Sequence, residues 1–441
     1  GSLSNVRYFR RKASKKRLVV GLASLAGGVA GLGLFSQPSL YSALGCAASA
    51  WDPLSTMHAN GFVANFLSMT ASSRLAKPKG YSAQALAQAA VQKSDPAQVQ
   101  GAPNVVLIMN ESWADFSAHG MLSTSAEQTP FLHSLQKSPN AVTGNTVVPV
   151  FGSGTCCSEF EALTGGKLFV QPGNQPICNL CLSGYALFGK SVNQMGYDTT
   201  ALHLLLPTNG AKSGYPRMGF DHFIHMENTE GATSNDFIRG YASDLYSFSL
   251  VRDTLTQGSA PQFVFCRHHP EPRRLYRAGL PGAGHRSRRA GGVPHGGAVP
   301  HPWRGKTDAA FRALVEYLRV FDEPTIVIMF GDHQPSVEQG FLDLPTAVTQ
   351  EQMTMEQYMG KYYVPFVIWA NYPCPGRGRR RPASTSWAST SCGTRALRAP
   401  PTGDFLWQLQ EELPALTLRG LYGRGGPGLQ PSGDQRFHRP D

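Results

Sequence analysis

Apolar positions along this chain follow two length scales. One run, residues 18–35 (LVVGLASLAGGVAGLGLF), is apolar without interruption and sits at the lower edge of the roughly 17 to 25 residues that cross a bilayer. Beyond it, apolar runs of strand length recur between segments of helical period. Val105 to Met109 in NVVLIMN, YDTTALH ending at His203, QFVF, TIVIMF ahead of Asp332 and His333, and YYVPFVIWAN are such runs. Continuous apolar runs bounded by polar turns suit strands buried on both faces. TPFLHSLQK predicts a helix with Thr129 as N-cap and Pro130 at its first position, SEFEALTGG one that starts straight after a glycine turn, and KTDAAFRALVEYL a third. Strands alternating with helices predict a mostly parallel α/β sheet flanked by helices, with one transmembrane helix ahead of it.

Charge orients that helix. Arg10, Arg11, Lys12, Lys15, Lys16 and Arg17 precede it, the cluster found on the cytoplasmic side of a span. The expected organisation is a cytoplasmic basic segment over 1–17, the transmembrane helix over 18–35, extracellular linker and helices over 36–102, a catalytic body over 103–423 and an irregular tail over 424–441. A cleaved signal peptide has the same pattern, and SQPSLYSALGCAASA offers small-residue cleavage sites. Either way residues 60–441 lie outside the cytoplasm. The formal net charge of +11 is local: residues 267–305 hold eight Arg and one Glu, and residues 374–402 hold six Arg and no acid. A basicity confined to two such stretches argues against a nucleic-acid partner. Both stretches lack an apolar period and read as compensated frameshifts, with a natural basic loop as the alternative. One base later the first spells VTIQNHGGY, a sensible continuation of QFVF; two bases later residues 383–397 spell LDELGVDLLRDAGL, an amphipathic helix.

In parallel sheets chemistry collects beyond the carboxyl ends of the strands. Glu111, His203, Asp332 and His333 each lie at such an end, and Thr155 opens a helix after the glycines of GSGT. Glu111, Asp332 and His333 offer hard carboxylates and an imidazole, suited to Mn²⁺, Mg²⁺ or Zn²⁺, with the Thr155 oxygen as a fourth position. A threonine hydroxyl is a poor nucleophile near neutral pH, and coordination to a divalent cation lowers its pKa. The helix behind it aims amides at an anion. Taken singly these residues have bland readings: an N-cap for Thr155, a solvated loop acid for Glu111, a turn cap for Asp332, a core histidine for His203. Their joint placement favours the metal site. Of eight cysteines, Cys178 and Cys181 in ICNLC suit a disulfide in an exported domain, half a zinc site or free thiols, while Cys156 and Cys157 beside Thr155 offer a cysteine nucleophile as the lesser alternative, since phosphoryl transfer at a hard metal favours an oxygen.

The order NVVLIMNES, GSGTCCSEFEALTG, ALH, MGFDHF and MFGDHQP, with NGFVANF and KPKGYS upstream, resembles the lipoteichoic-acid synthase and phosphoglycerol transferase family of the sulfatase and alkaline-phosphatase-like superfamily. It covers about residues 60–420 outside the two Arg-rich stretches. The resemblance implies that Glu111, Thr155, Asp332 and His333 hold manganese and that Thr155 is the nucleophile. Phosphatidylglycerol would pass glycerophosphate to Thr155, releasing diacylglycerol, and a polyglycerophosphate or glycan acceptor would then take it. It implies a cell-membrane protein whose catalytic domain is extracellular; relatives carry a bundle of membrane helices, so the chain looks like a truncated member. His203 matches a substrate-contacting histidine. Where relatives carry Trp and Arg, PTNGAKSGYP has Gly210 and Lys212, and Lys212 keeps the charge without the bidentate fork. The family's histidine after QFVF is absent as written, and the shifted reading restores an Asn-His there. Phosphoethanolamine transfer or sulfatase-like hydrolysis is the alternative chemistry, and a catalytically inactive envelope-binding protein the alternative class.

Overall fold

The computed structural model describes residues 15–48, 53–72, 82, 84, 102–115, 127, 129–164, 188–205, 211–229, 231–238, 241–268, 304–335, 360–373, 415–417 and 420–422. The chain divides into two compact units, residues 1–79 with 170–176 and residues 80–169 with 177–441. The Cys178 and Cys181 pair, the whole of 374–402 and the 424–441 tail lie outside the described residues.

The first unit is helical: α1 (Lys15–Phe35), α2 (Pro38–Ala43), α3 (Pro53–Asn60) and α4 (Phe62–Ser72). Within α1, Leu18–Phe35 is long and apolar enough to cross a membrane and none of it is buried. The turn from α1 into α2 is tied by the Tyr41 hydroxyl, which donates to the Phe35 carbonyl at 2.7 Å.

The second unit is built on β1 (Asn104–Asn110), β2 (Ala141–Val147), β3 (Asp198–His203), β4 (His222–His225), a small ribbon of β5 (Phe237–Ile238) and β6 (Tyr241–Ala242), then β7 (Gln262–His268), β8 (Thr325–Gly331) and β9 (Tyr363–Ala370). A separate hairpin pairs β10 (Ala415–Thr417) with β11 (Gly420–Tyr422). The main sheet runs β2-β9-β8-β1-β7-β3-β4. Strands β8, β1, β7, β3 and β4 are mutually parallel, and β9 runs antiparallel to both β8 and β2. The helices are α5 (Pro130–Leu135), α6 (Thr155–Thr164), α7 (Phe188–Gln194), α8 (Ala211–Arg217), α9 (Asp244–Leu255) and α10 (Arg304–Leu318).

Every residue of β1 and β8 is buried, because the pleat sends alternate side chains into two cores. Val105, Leu107 and Met109 meet Phe160 and Leu163 of α6 on one face, and Val106 and Ile108 meet Phe248 and Val251 of α9 and Phe311 and Leu314 of α10 on the other. The expected mostly parallel, helix-flanked sheet is what forms. Three expectations change. The last anticipated strand, YYVPFVIWAN, is the antiparallel one. The QFVF strand continues through Arg267 and His268, the first two residues of the Arg-rich stretch, while α10 begins at Arg304. Thr129 stands at the N-cap position of α5, but its side chain makes no cap hydrogen bond. The Asp308 carboxylate of α10 accepts from the amides of Phe131 and Leu132 at 2.7 and 3.0 Å instead.

Candidate active site

The backbone brings the acids together before their side chains do. Asn110 lies opposite Gly331 in the β1–β8 ladder, and pairing continues one residue beyond, with the Asp332 amide donating to the Asn110 carbonyl at 3.0 Å. On the other side of β1 the Glu111 amide donates to the His268 carbonyl at 3.1 Å. Glu111 and Asp332 therefore leave adjacent strand ends side by side. Gly331 is required there: a Cβ would stand 1.9 Å from the Trp113 carbonyl oxygen, so only glycine lets β8 approach the turn after β1. That turn places Ser112 at φ 56°, a region sparsely populated by non-glycine residues, and aims its amide at Asp332 Oδ1, 2.6 Å away.

Thr155 arrives from the opposite direction. Gly152 and Gly154 adopt φ of 75° and 94°, so the chain turns sharply into α6, with the Gly152 amide held by the Gln334 carbonyl at 3.1 Å. The Thr155 hydroxyl donates to Glu111 Oε2 at 2.7 Å and lies 3.3 Å from His333 Nε2. One turn on, the Ser158 hydroxyl donates to the Asp332 carbonyl, pinning α6 to the end of β8.

One ligating atom each from Glu111, Asp332 and His333 lie within 4.8 Å of one another, and all three residues are buried. His333 Nδ1 sits 2.8 Å from the Gln334 carbonyl, which makes it the protonated nitrogen and leaves the Nε2 lone pair for the cluster. Nε2 is 3.3 Å from Glu111 Oε1 and 3.2 Å from Asp332 Oδ2. Asp332 Oδ1 accepts from the Ser112 and His333 amides, whereas buried Oδ2 has no hydrogen-bond partner. Burial and the neighbouring Glu111 carboxylate hold the Asp332 carboxyl above its usual range. Burial works against protonating His333, but Asp332 and Glu111 outweigh it and raise the imidazole pKa. Two carboxylates crowded in a buried site, plus an imidazole whose Nδ1 is held by a carbonyl, make a donor set that fits a divalent cation.

The structure thus gathers Glu111, Thr155, Asp332 and His333 at one point. His203 closes β3, two strands from β1 at the same carboxyl edge, and is buried. Lys212 falls in α8, and its side chain lies outside what the structure describes. A neighbouring trio went unread in the sequence. Glu159, one turn past Thr155 on α6, accepts from the Tyr215 hydroxyl at 2.6 Å and from Arg267 Nη1 at 2.9 Å. Burial opposes the Arg267 charge, while Glu159, Tyr215 and the more distant Glu111 and Asp332 reinforce it. Only the i, i+4 spacing of Thr155 and Glu159 could have signalled this trio. His268, next along β7, turns the other way and pairs with Asp244 and Ser247 of α9.

A mostly parallel α/β sheet thus presents acids and an imidazole at its central strand ends to a threonine at a helix start. The sulfatase family matches residues 103–267 and 305–386, more than half of the chain, which belongs to that family. In Rhizobium meliloti (strain 1021) a protein named "Putative cyclic beta-1,2-glucan modification protein" is 26% identical over 362 residues, 76% of this chain; the chain spans 53% of that relative's length. The fold is shared with Streptococcus pyogenes phosphoglycerol transferase GacH in complex with sn-glycerol-1-phosphate, at a TM-score of 0.58 and 16% identity over 77% of this chain and 89% of that one. An alkaline phosphatase superfamily protein of Vibrio parahaemolyticus superposes with a TM-score of 0.50 at 14% identity, covering 70% of each chain.

Proposed function

We propose that this chain is a membrane-anchored phosphoryl-group transferase that moves glycerophosphate from phosphatidylglycerol to a polyglycerophosphate or glycan acceptor outside the cytoplasm, through Thr155. The observation that carries it is the Thr155 hydroxyl, 2.7 Å from a Glu111 carboxylate oxygen and 3.3 Å from His333 Nε2, at the first position of α6. Glu111, Asp332 and His333, with the Thr155 oxygen as a fourth position, would hold a divalent cation, Mn²⁺ with Mg²⁺ or Zn²⁺ as alternatives. When bound, it supplies Lewis acidity that lowers the hydroxyl pKa and offsets phosphate charge. Thr155 Oγ1 attacks the phosphorus while its proton passes to Glu111 Oε2. The bond from phosphorus to the diacylglycerol oxygen breaks, and that oxygen takes the proton Glu111 received, which returns Glu111 to its carboxylate. The amides at the start of α6 face the transferred group. An acceptor hydroxyl then attacks phosphorus and gives its proton to the Glu111 carboxylate as the bond from phosphorus to Thr155 Oγ1 breaks, and the departing Thr155 oxygen takes that proton back from Glu111. α1 anchors the chain to the membrane that holds the lipid donor.

The relatives support this reading in kind: GacH is named a phosphoglycerol transferase and the R. meliloti protein is named for glucan modification. The test is diacylglycerol release from labelled phosphatidylglycerol by the full chain with Mn²⁺. Release and a phosphothreonyl adduct are expected from the wild type and neither from Thr155→Ala. Release that persists in the variant removes Thr155 from the mechanism, and release by neither points to an envelope-binding protein.

A further inference from the structure

Helix α4 is inside out. Along FVANFLSMTAS the residues turned into the protein are Asn65, Ser68 and Ala71, each buried, a stripe at three-residue spacing. The outward face carries Phe62, Val63 and Phe66, exposed by 69%, 68% and 57%, with the two rings stacked at 6.1 Å. A helix on a water-facing surface buries its apolar stripe and shows its polar one. Here the polar face carries the contact to the rest of the unit: Ser68 Oγ accepts from the Ala48 amide at 2.9 Å, and Asn65 Nδ2 lies 3.7 Å from Met69 Sδ one turn on in α4 itself. The preceding helix is fastened to the same segment, with Asn60 Nδ2 donating to the Cys46 carbonyl at 3.2 Å. The reversal is therefore built into the packing of this unit.

The chain around α4 is composed for the same surroundings. From Leu18 to Ser73 the only Asp, Glu, Lys or Arg is Asp52, so the uncharged stretch begun by α1 continues to the end of α4, in the same compact unit. At 11 residues, α4 is about 16 Å long, too short to cross a hydrocarbon layer of about 30 Å. An apolar face of that length meets acyl chains by lying along the bilayer surface. We infer that α4 lies in the membrane interface with Phe62, Val63 and Phe66 among lipid acyl chains, a second contact with the bilayer beyond α1. The inference rests on the proposed membrane anchoring through α1.

The experiment uses the full chain in liposomes of phosphatidylcholine and radiolabelled phosphatidylglycerol, carrying photoreactive p-benzoylphenylalanine in place of Phe66 or, as a second position, Val63. Probes at Leu25 in α1 and at Val320, which is exposed beyond α10, are the references. Illumination is expected to give lipid adducts at 66, 63 and 25, several-fold above the yield at 320. Adducts at 25 with none above the 320 level at 66 and 63 overturn the inference and leave α1 in the membrane. Adducts at none of them remove the anchoring as well. Chain-to-chain adducts at 66 and 63 overturn it in favour of a second copy covering this face.

Discussion

Asp332 is fully buried, held at Oδ1 by two amides, with Oδ2 3.2 Å from His333 Nε2. Without a cation its charge sits beside Glu111 at a cost, since both burial and that carboxylate push its pKa upward. Asp332→Asn keeps the acceptor for both amides and removes the repulsion. The metal-free variant is therefore expected to be at least as stable as the metal-free wild type. With Mn²⁺ the order reverses: a ligand at a hundred times its Kd stabilises the wild type by about 2.7 kcal/mol, and the variant loses most of that gain. Thermal unfolding of both proteins in Mn²⁺ and in EDTA checks this, and a variant still stabilised by Mn²⁺ removes Asp332 from the ligand set. This cluster was legible in the sequence because its residues are hard donors placed at strand ends, where parallel sheets gather chemistry. Glu159, Tyr215 and Arg267 were not. Their partnership joins three elements, and Arg267 opens a stretch whose composition hides any role.

At the scale of elements, long-range pairing decides what local pattern leaves open. The start of α5 illustrates it, since a threonine stands at the N-cap while the carboxylate doing the capping lies 176 residues from Leu132 in the chain. Asp308→Ala is expected to cost about 0.5–2 kcal/mol, the worth of a lost cap, and Thr129→Ala clearly less. Urea unfolding with an unchanged m-value separates the two, and equal losses would return the cap to Thr129. Strand β2, AVTGNTV, is a similar case. Gly144 and Asn145 at its centre are poor strand formers, yet all seven residues pair with β9, so the partner imposes the strand. β1 and β8 were readable because a strand buried on both faces must be apolar throughout.

For the whole molecule the formal +11 says little about the folded body, because fourteen Arg and a single acid lie in residues 267–305 and 374–402. Two groups outside the candidate metal site, buried Asp244 and half-buried His133, contribute to its pH response. Burial opposes ionisation of Asp244, but the His268 imidazole and the Thr307 hydroxyl hold its carboxyl below the usual range. The native state then binds fewer protons than the unfolded chain at acid pH, so this stabilisation is full above the ordinary carboxyl value of about 3.9 and is lost as pH falls through the lowered one. His133 has the opposite sign. Burial disfavours its charge, yet the carboxylates of Asp115 and Glu127 on its two ring nitrogens outweigh burial and raise its pKa. Its contribution is complete below about pH 6.5 and disappears as pH rises through the folded value. Because the Glu127 side chain is 53% exposed, that contribution is screened to about 0–1 kcal/mol. Metal-free protein should therefore draw on both groups fully between about pH 4 and pH 6.5. Unfolding free energies measured across that window and above it are expected to show His133→Gln narrowing its deficit from wild type as pH climbs past neutrality, while Asp244→Asn narrows its own only on the acid side. A His133→Gln deficit that stays constant with pH would show that the imidazole acts through packing and not through its charge.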